Sequence, residues 1–477
     1  MFTIDFSSSK KGLCETLCDE IRSQISNGKL LPNTRLPSKR SLAEHLGVSV
    51  MTVQNAYAEL IAEGYIYSIE KKGFFVTDLA DVAVSESVPS IGEKAASHER
   101  ADEPKKSESF FADFTSNSAD SKNFPFSLWA HLMRKVLTDE EIKNRILDRV
   151  SVKGVLELRI AISEYLRDFR NMDVSPEKIV IGSGTESLCS MIVQLLGTDS
   201  AYAVENPGYH KVAKVFALNG AAVVPVDIDE CGVNPESLEK SGAKVVHVSP
   251  SHHFPTGIVM PVRRRLELLS WADKNGSFII EDEYDSEFRF NGKPLPSLLS
   301  SDDSRVIYMN TFSKTLAPSF RISYMILPDS LLERFEQRLG FYSCPVSAFE
   351  QFTLARFISG GFYGKHIIRM KNYYRNIRNA FINSINSSSI KSKASIHEEN
   401  SGLHFLLELK SPQKSEDCSI SLIRKRMLDE GISIPLLSDF FYVESPMSSS
   451  ASFVLNYSGI EKEKISEIVE RMERSFS

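Results

Sequence analysis

Residues 309–327, MNTFSKTLAPSFRISYMIL, decide the fold of most of this chain, because they place a lysine directly after an apolar strand pattern. The run RVIYM leads into them, and Lys314 follows on the loop beyond the predicted strand. Reactive groups in α/β sheets collect at the carboxyl ends of the strands. Ser313 and Thr311 supply hydroxyl donors nearby, and Arg321 can form a forked pair with phosphate oxygens. The segment therefore predicts a ligand site in an α/β domain.

Strand and helix patterns alternate on both sides of this segment. The apolar runs typical of buried strands are KIVIG, AYAVE, AAVVPV, KVVHVS, FIIED and RVIYMN, and helical spacing occurs in LRIAISEYLRDF and SLCSMIVQLL. Such alternation predicts a mostly parallel sheet with helices on both faces. Beyond about Cys344 the pattern changes to long helices followed by a few strands, which predicts a smaller α+β subdomain.

A carboxylate follows another of the predicted strands. The run FIIEDEYDSEF places Asp282 at a strand end, 32 residues before Lys314. Such a carboxylate can cap a strand end, but it can also keep a pyridine nitrogen protonated by charge pairing. Tyr284, two residues later, can hydrogen-bond a ring hydroxyl.

The run IVIGSGTES reads as strand, glycine-rich turn and helix, whose free N–H groups and dipole suit a phosphate. Gly184, Thr185 and Glu186 are the expected donors, through main chain and hydroxyl. Tyr209, in ENPGYHK, can cover a flat ligand or simply pack. An amine for an aldehyde, an acid for a ring nitrogen, phosphate donors and a stacking ring are what pyridoxal phosphate (PLP) needs.

Residues 309–327 resemble the Schiff-base lysine motif of fold type I PLP enzymes. Together with SPSHHFPTGIVMP, GFYGKHIIRMKNYY and SGLHFLLEL, the segments above resemble the aminotransferase-like domain of the MocR subfamily, from about Asp113 to the C terminus. The resemblance implies a PLP-dependent transferase fold of type I. It also implies a homodimer, usually head-to-tail, with PLP sites near the subunit interface.

The chain is expected to divide at a segment rich in Ser, Glu, Ala and Lys, residues 78–109. A segment of this composition buries too little apolar surface to offset its ordering entropy, which predicts a flexible linker. The predicted domains are therefore 1–78 and 111–477, joined by a linker at 79–110. Within the second domain, the large subdomain is placed at about 150–340 and the small one at about 345–477.

The N-terminal domain has the pattern of three helices and a hairpin. An amphipathic helix is predicted from apolar residues at four-residue steps, which are Leu13, Leu17, Ile21 and Ile25. Ser38 and Ser49 can cap two further helices, and Gly47 stops the first of these. The last helix is expected to turn Val53, Tyr57, Leu60 and Ile61 inward and Met51, Thr52, Gln54 and Asn55 outward. Helix, tight turn and helix is the geometry that places one helix in the DNA major groove.

The run LPSKRSLAEHLGVSVMTVQNAYAELIAEGYIYSIEKKGFFV resembles the winged helix-turn-helix of GntR-type regulators. This resemblance implies DNA contacts by Arg40, Ser49, Thr52 and Gln54, and a wing at Lys71, Lys72 and Gly73. Val50 stands where the family usually has Arg, which changes or weakens one contact. Each of the basic residues alone could be an ordinary solvated surface charge.

Composition limits the classes of protein to which the chain can belong. The net charge is −6, so any DNA-binding face must be local. No apolar run approaches the ~20 residues needed to span a bilayer. Six scattered cysteines show no paired spacing, which favours a reducing cytoplasm over a disulfide framework.

Two function classes remain, a PLP-dependent aminotransferase and a regulator that senses PLP, alone or with an amino acid. An amino-acid ligand needs a carboxylate clamp, normally an arginine. By the resemblance, Gly459 and Lys211 stand where aminotransferases or GABA-responsive regulators of this subfamily have arginines. PLP itself is therefore the expected signal, as in the subfamily members that control vitamin B6 synthesis. Whether His252 or His253 replaces the asparagine that related enzymes offer to the cofactor hydroxyl is left open.

Overall fold

The computed structural model describes residues 12–69, 72–77, 110–115, 123–290, 296–301, 304–399, 402–410, 420–445 and 451–476. The chain forms two compact units, Met1–Pro104 and Lys105–Ser477. The predicted linker at 79–110 lies outside the described residues except for its last residue. Among the described residues no helix is both long and apolar enough to cross a membrane.

The N-terminal unit contains three helices and a two-stranded hairpin: α1 (Leu13–Ser26), α2 (Lys39–Leu46), α3 (Val50–Ala62), β1 (Ile66–Ile69) and β2 (Gly73–Val76). Both predicted caps are present. The Ser38 hydroxyl accepts the Ser41 N–H at 3.2 Å, and the Ser49 hydroxyl accepts the Thr52 N–H at 3.0 Å. Gly47 ends α2 with φ 67°, a left-handed conformation that favours glycine.

The core of this unit lies between α1 and α3. The predicted inward residues are buried except Leu13 and Ile61, which are 49% and 37% exposed. Ala56 takes part instead, since positions 53, 56, 57 and 60 form the stripe that faces α1. Ile61 lies at the edge of that stripe, where α3 is about to end.

The C-terminal unit is built on an eight-stranded sheet in the order β4-β11-β10-β9-β8-β5-β6-β7. The strands are β4 (Ile179–Gly182), β5 (Tyr202–Asn206), β6 (Val223–Asp229), β7 (Gly232–Val233), β8 (Val245–Val248), β9 (Phe278–Asp282), β10 (Val306–Thr311) and β11 (Ser323–Ile326). Only β7 and β11 run antiparallel to their neighbours. The mostly parallel sheet is confirmed, and six of its strands are the six predicted runs.

Helices cover both faces of this sheet, as the alternation predicted. The helices of the large subdomain are α4 (Phe126–Thr138), α5 (Glu140–Leu147), α6 (Leu156–Arg170), α7 (Thr185–Leu196), α8 (His210–Leu218), α9 (Pro235–Ser241), α10 (Val262–Asn275), α11 (Leu298–Ser301), α12 (Asp329–Leu339) and α13 (Ala348–Ser359). Helices α7, α8 and α12 share a buried core with one face of the sheet, and α4, α6, α10 and α13 share one with the other.

The small subdomain has a separate core. It contains helices α14 (Phe362–Ser387), α15 (Ile390–Lys393), α16 (Ile420–Asp429) and α17 (Ile465–Ser475), and strands β3 (Ala112–Asp113), β12 (Ala394–His397), β13 (His404–Leu409), β14 (Ile432–Ser433) and β15 (Ser452–Asn456). Strands β12, β13 and β15 form an antiparallel sheet, and β14 pairs with β3.

The subdomain boundaries differ from the prediction at both ends. Helix α13 lies beyond the predicted break near residue 345, yet it packs on α4 and α6 in the large core. Phe114 lies before the large subdomain, yet it packs in the small core. Amphipathic spacing shows that a helix face is buried, but it does not show which core covers that face.

Candidate cofactor site

The residues predicted to hold a cofactor meet at the carboxyl ends of parallel strands. Asp282 ends β9, Thr311 ends β10, and the turn after β4 leads into α7. Together they surround a cavity of about 310 Å³. Every predicted residue except Gly184 lines it: Thr185, Glu186, Tyr209, Asp282, Tyr284, Thr311, Ser313, Lys314 and Arg321.

Lys314 places its amine in a largely enclosed part of the cavity. Loss of water around the amine lowers the pKa of Lys314 to about 8, although the Asp285 carboxylate acts in the opposite direction. Only the neutral amine is a nucleophile. Lys314 is therefore better prepared to attack an aldehyde near neutral pH than an ordinary surface lysine.

Asp282 is oriented by a histidine that the sequence reasoning did not single out. His247 on β8 places Nε2 3.3 Å from Asp282 Oδ2, and both side chains are buried. Strands β8 and β9 are neighbours in parallel register, which brings the two residues to the same edge of the sheet. The only signal in the sequence was a polar residue inside the apolar run KVVHVS.

The turn before α7 forms the anion end of the cavity. Gly184 has φ 101°, and a Cβ there would lie 2.1 Å from an Arg321 guanidinium nitrogen, so only glycine fits. The Gly184 N–H donates to the Ser323 hydroxyl at 3.0 Å. This differs from the prediction, in which Gly184 donated to a phosphate. Thr185 and Glu186 are the turn's remaining main-chain donors at the helix N terminus.

The Glu186 side chain lies at this anion end between two cations. Arg321 donates to Oε2 at 2.5 Å, and Lys211 forms an ion pair with Oε1. Burial alone would raise the pKa of Glu186, but hydrogen bonds from Lys211, from its own backbone N–H and from Arg321 lower it to about 2. Glu186 was predicted as a main-chain donor, and that role stays a prediction; its side chain, which the prediction did not consider, is an ionised acceptor.

Two hydroxyls lie between the amine and the anion end. Thr311 Oγ1 donates to Ser313 Oγ at 3.0 Å, and the Ser313 N–H donates to Thr311 Oγ1 at 3.2 Å. Because the Ser313 oxygen accepts a hydrogen bond here, its own proton can be donated to a ligand.

Aromatic side chains form the sides of the cavity. The ring of Tyr209 packs edge to face on Phe254, with centroids 5.9 Å apart. Tyr284 donates its hydroxyl proton to the His252 carbonyl at 3.0 Å, so its oxygen is left to accept a bond from a ligand. The stacking role of Tyr209 remains a prediction.

The two histidines whose role was left open do not line the cavity. His252 Nδ1 lies 2.8 Å from Asp285 Oδ1, and His253 Nδ1 lies 2.7 Å from Thr256 Oγ1. Both rings are buried, and burial lowers the pKa of His253 to about 3. Phe254 lines the cavity from this segment instead.

An apolar cluster of the small subdomain adjoins the cavity through Phe254. Val454 on β15 packs with Leu406 and Leu437, and Phe254 contacts this cluster. Gly459 does not line the cavity, and Arg321 is the only arginine among the described residues that do. Tyr442 also reaches the cavity from the small subdomain, and no motif in the sequence pointed to it.

In the N-terminal unit, the surface predicted to meet DNA comprises the first turn of α2, the first half of α3 with its cap, and the hairpin. Arg40, Gln54 and Lys72 are exposed, and Thr52 is half-buried with its hydroxyl 2.8 Å from that of Ser49. Lys71 lies outside the described residues. Gly73 starts β2 with φ 115°.

Charges on this unit are separated by face. Arg35, which the sequence reasoning did not name, is exposed beside Gly73 at the hairpin. On α1, Arg22 is paired with Asp19, Glu59 and Glu63. Exposed basic residues near α2 and the hairpin, for which the described residues show no ion pair, are typical of a DNA-binding surface.

The comparisons with known proteins match both units. Residues 13–76 match the family of bacterial regulatory proteins, gntR family, and residues 116–473 match aminotransferase class I and II. The HTH-type transcriptional regulator YdeL of Bacillus subtilis, itself described as uncharacterized, is 35% identical over 97% of this chain and 96% of its own length.

Two further relatives share both units. The probable rhizopine catabolism regulatory protein MocR of Rhizobium meliloti is 29% identical, over 96% of this chain and 93% of its own. The HTH-type pyridoxine biosynthesis transcriptional regulator PdxR of Corynebacterium glutamicum is 28% identical, over 89% of this chain and 88% of its own. The chain belongs to the MocR family of GntR-type regulators.

The fold of the C-terminal unit of this MocR-type regulator also matches a solved enzyme. The crystal structure of an archaeal alanine:glyoxylate aminotransferase superposes with a TM-score of 0.67, at 23% identity, over 76% of this chain and 90% of that one. The fold class predicted from the sequence, a winged helix-turn-helix followed by a fold type I domain, is confirmed.

PLP is the cofactor of this domain, and the residues present fit it. The lowered pKa of the Lys314 amine suits the aldehyde, the His247-held Asp282 suits the pyridine nitrogen, and the N terminus of α7 with Arg321 suits the phosphate. When bound, PLP supplies an electron sink for carbon acids. The residues themselves supply the binding, the orientation and the local charge.

Proposed function

We propose that this MocR-type regulator responds to PLP itself and controls genes of vitamin B6 synthesis. With little PLP it is competent to activate those genes, and bound PLP ends the activation. The observation that carries the proposal is the cavity, where the residues for PLP are complete but no arginine other than Arg321 is present among the described lining residues. The resemblance to PdxR supports the choice of genes.

The response requires that PLP bind one conformation of the protein better than another. We propose a head-to-tail homodimer, because two copies would present two DNA-binding units to two half-sites. Contact with DNA places the protein in the cytoplasm, where its cysteines stay reduced.

The test is a footprint or mobility shift on the promoter region of a PLP-synthesis gene, with and without PLP. We expect PLP to change the affinity or the footprint of the wild-type protein, and to change neither in Lys314→Ala. Lys214→Ala is the matched control, because Lys214 is exposed on α8 outside the cavity. An unchanged footprint from a protein whose Lys314 is demonstrably loaded would rule the proposal out.

A second candidate is a regulator that senses an amino acid together with PLP. The Tyr442 hydroxyl has no hydrogen-bond partner among the described residues, and a polar group of a second ligand could supply one. A panel of amino acids added to the PLP-loaded protein tests this candidate. A saturable change in the visible absorbance with one of them would favour it over PLP alone.

The N-terminal unit favours a regulator over an aminotransferase, since it matches the gntR family and relatives that share both units are named transcriptional regulators. An enzyme would show steady turnover of an amino acid with a keto-acid acceptor. Absence of turnover across the common amino acids would remove that interpretation.

A further inference from the structure

The anion end of the cavity is already occupied by a side chain of the protein. The Glu186 carboxylate accepts hydrogen bonds from Arg321 and from its own backbone N–H in the first turn of α7. These are the groups that a phosphate at this helix N terminus would require. A ligand phosphate and the Glu186 carboxylate therefore compete for the same donors.

The two carboxylate oxygens are shared between two cations. Oε2 contacts Arg321 and Oε1 contacts Lys211, on opposite sides of the group. Arg321 also donates to the Ser183 carbonyl at 3.2 Å, which keeps its guanidinium at the turn. Glu186 can thus release Arg321 and remain paired with Lys211.

We propose that Glu186 is an internal anion that weakens phosphate binding, and that Lys211 is the partner that holds its carboxylate once a phosphate has taken Arg321. The inference rests on PLP binding, as in the proposed function, but its test involves no DNA. Lys211 would then be a positioning residue for Glu186, rather than a remnant of a clamp for amino acids. The competition would keep PLP affinity low enough for the protein to report changes in PLP concentration.

The experiment measures dissociation constants on the full-length apoprotein, by absorbance and by calorimetry, for PLP and for pyridoxal, which lacks the phosphate. Glu186→Gln keeps the shape of the side chain and removes its charge. The matched control is Glu236→Gln, since Glu236 is an exposed carboxylate in the first turn of α9, another helix N terminus. Thermal melts confirm that each variant is folded.

We expect Glu186→Gln to bind PLP about three- to tenfold more tightly, a modest gain because the ion pairs are partly exposed to solvent. Pyridoxal binding should stay unchanged, and Glu236→Gln should behave as the wild type. Inorganic phosphate should also compete with PLP more effectively in Glu186→Gln. Weaker or unchanged PLP binding, or an equal gain for pyridoxal, would overturn the proposal.

The role of Lys211 is tested by a double-mutant cycle. Lys211→Gln should weaken PLP binding in the wild type, because the displaced carboxylate loses its partner. In the Glu186→Gln background the same substitution should have little effect. An equal loss in both backgrounds would show that Lys211 acts on the phosphate directly, which contradicts the role proposed for it.

Discussion

The two walls of the cavity differ in chemistry. The wall from the large subdomain is built at strand ends and carries charged groups, among them Lys314, Asp282 and Arg321. The wall from the small subdomain carries Tyr442 and adjoins an apolar cluster around Val454. The large-subdomain wall is suited to a charged cofactor, whereas the described lining residue from the small subdomain, Tyr442, is not a cation that could bind the carboxylate of an amino acid.

Under the proposed function, this difference is what would let an aminotransferase fold sense its own cofactor. The strand ends carry the groups expected to bind PLP, and the sheet fixes the positions of these groups. The small subdomain reaches the cavity through Tyr442, on the segment before β15, where a side chain can change without disturbing the large sheet. Recognition of the cofactor and recognition of a substrate are thus separable within one cavity.

The largest effect is expected for Lys314→Ala, a change in the charged wall that the large subdomain contributes to the cavity. Covalent attachment of PLP to the protein should be lost, because Lys211, the other lysine among the described lining residues, is paired with Glu186 at the anion end. Absorbance in the visible range and intact-protein mass after borohydride reduction measure this. Lys214→Ala should load normally, and visible absorbance retained by Lys314→Ala would show that another residue is the attachment site.

The second-largest effect is expected on stability, in the apolar cluster around Val454. Val454→Arg should lower the free energy of unfolding by about 3–5 kcal/mol, because Val454 is fully buried and the new charge would have no partner. Chemical denaturation measures the change. Val443→Arg is the matched control, because Val443 is 54% exposed, and it should change the free energy of unfolding little. If Val454→Arg were stable and responded to amino acids, the new arginine would have to reach the cavity and bind an amino-acid carboxylate there.

A smaller effect is expected for Asp282→Asn, which keeps the size of the side chain and removes its charge. PLP affinity should fall about ten- to a hundredfold, since the ring nitrogen loses the charge that keeps it protonated. Titration by absorbance measures it, with Asp273→Asn on the exposed face of α10 as control. An unchanged affinity would assign the pairing role to a different group.

The rate of PLP attachment to Lys314 should depend on pH, which tests the charged wall again. Because the pKa of Lys314 is lowered to about 8, its amine is mostly neutral above pH 8 and protonated below it. The rate of PLP attachment should therefore fall by about tenfold per pH unit below 8 and level off above. Stopped-flow absorbance measures this rate. A rate that keeps rising towards pH 10 would mean that the amine titrates like an exposed lysine.

Much of the fold was predictable because its signals are local. The six strand runs, the caps at Ser38 and Ser49 and the left-handed Gly47 all depend on neighbouring residues. That the candidate cofactor residues would meet at one cavity was also predictable, because motifs at the ends of parallel strands converge; their roles stay a prediction. The exposure of Ile61 and the position of the subdomain boundary could not be predicted. Both depend on which element packs against a given helix face.

The sequence by itself determined the two-domain organisation, the lysine at the end of β10 and the acid at the end of β9. Each of these follows from the order of residues along one segment and from the geometry of parallel strands. Only the tertiary structure decided that His247 holds Asp282, that Tyr442 reaches the cavity and that Glu186 lies between Arg321 and Lys211. These contacts join residues far apart in the chain, and their energies depend on distance and burial, which only the folded chain defines.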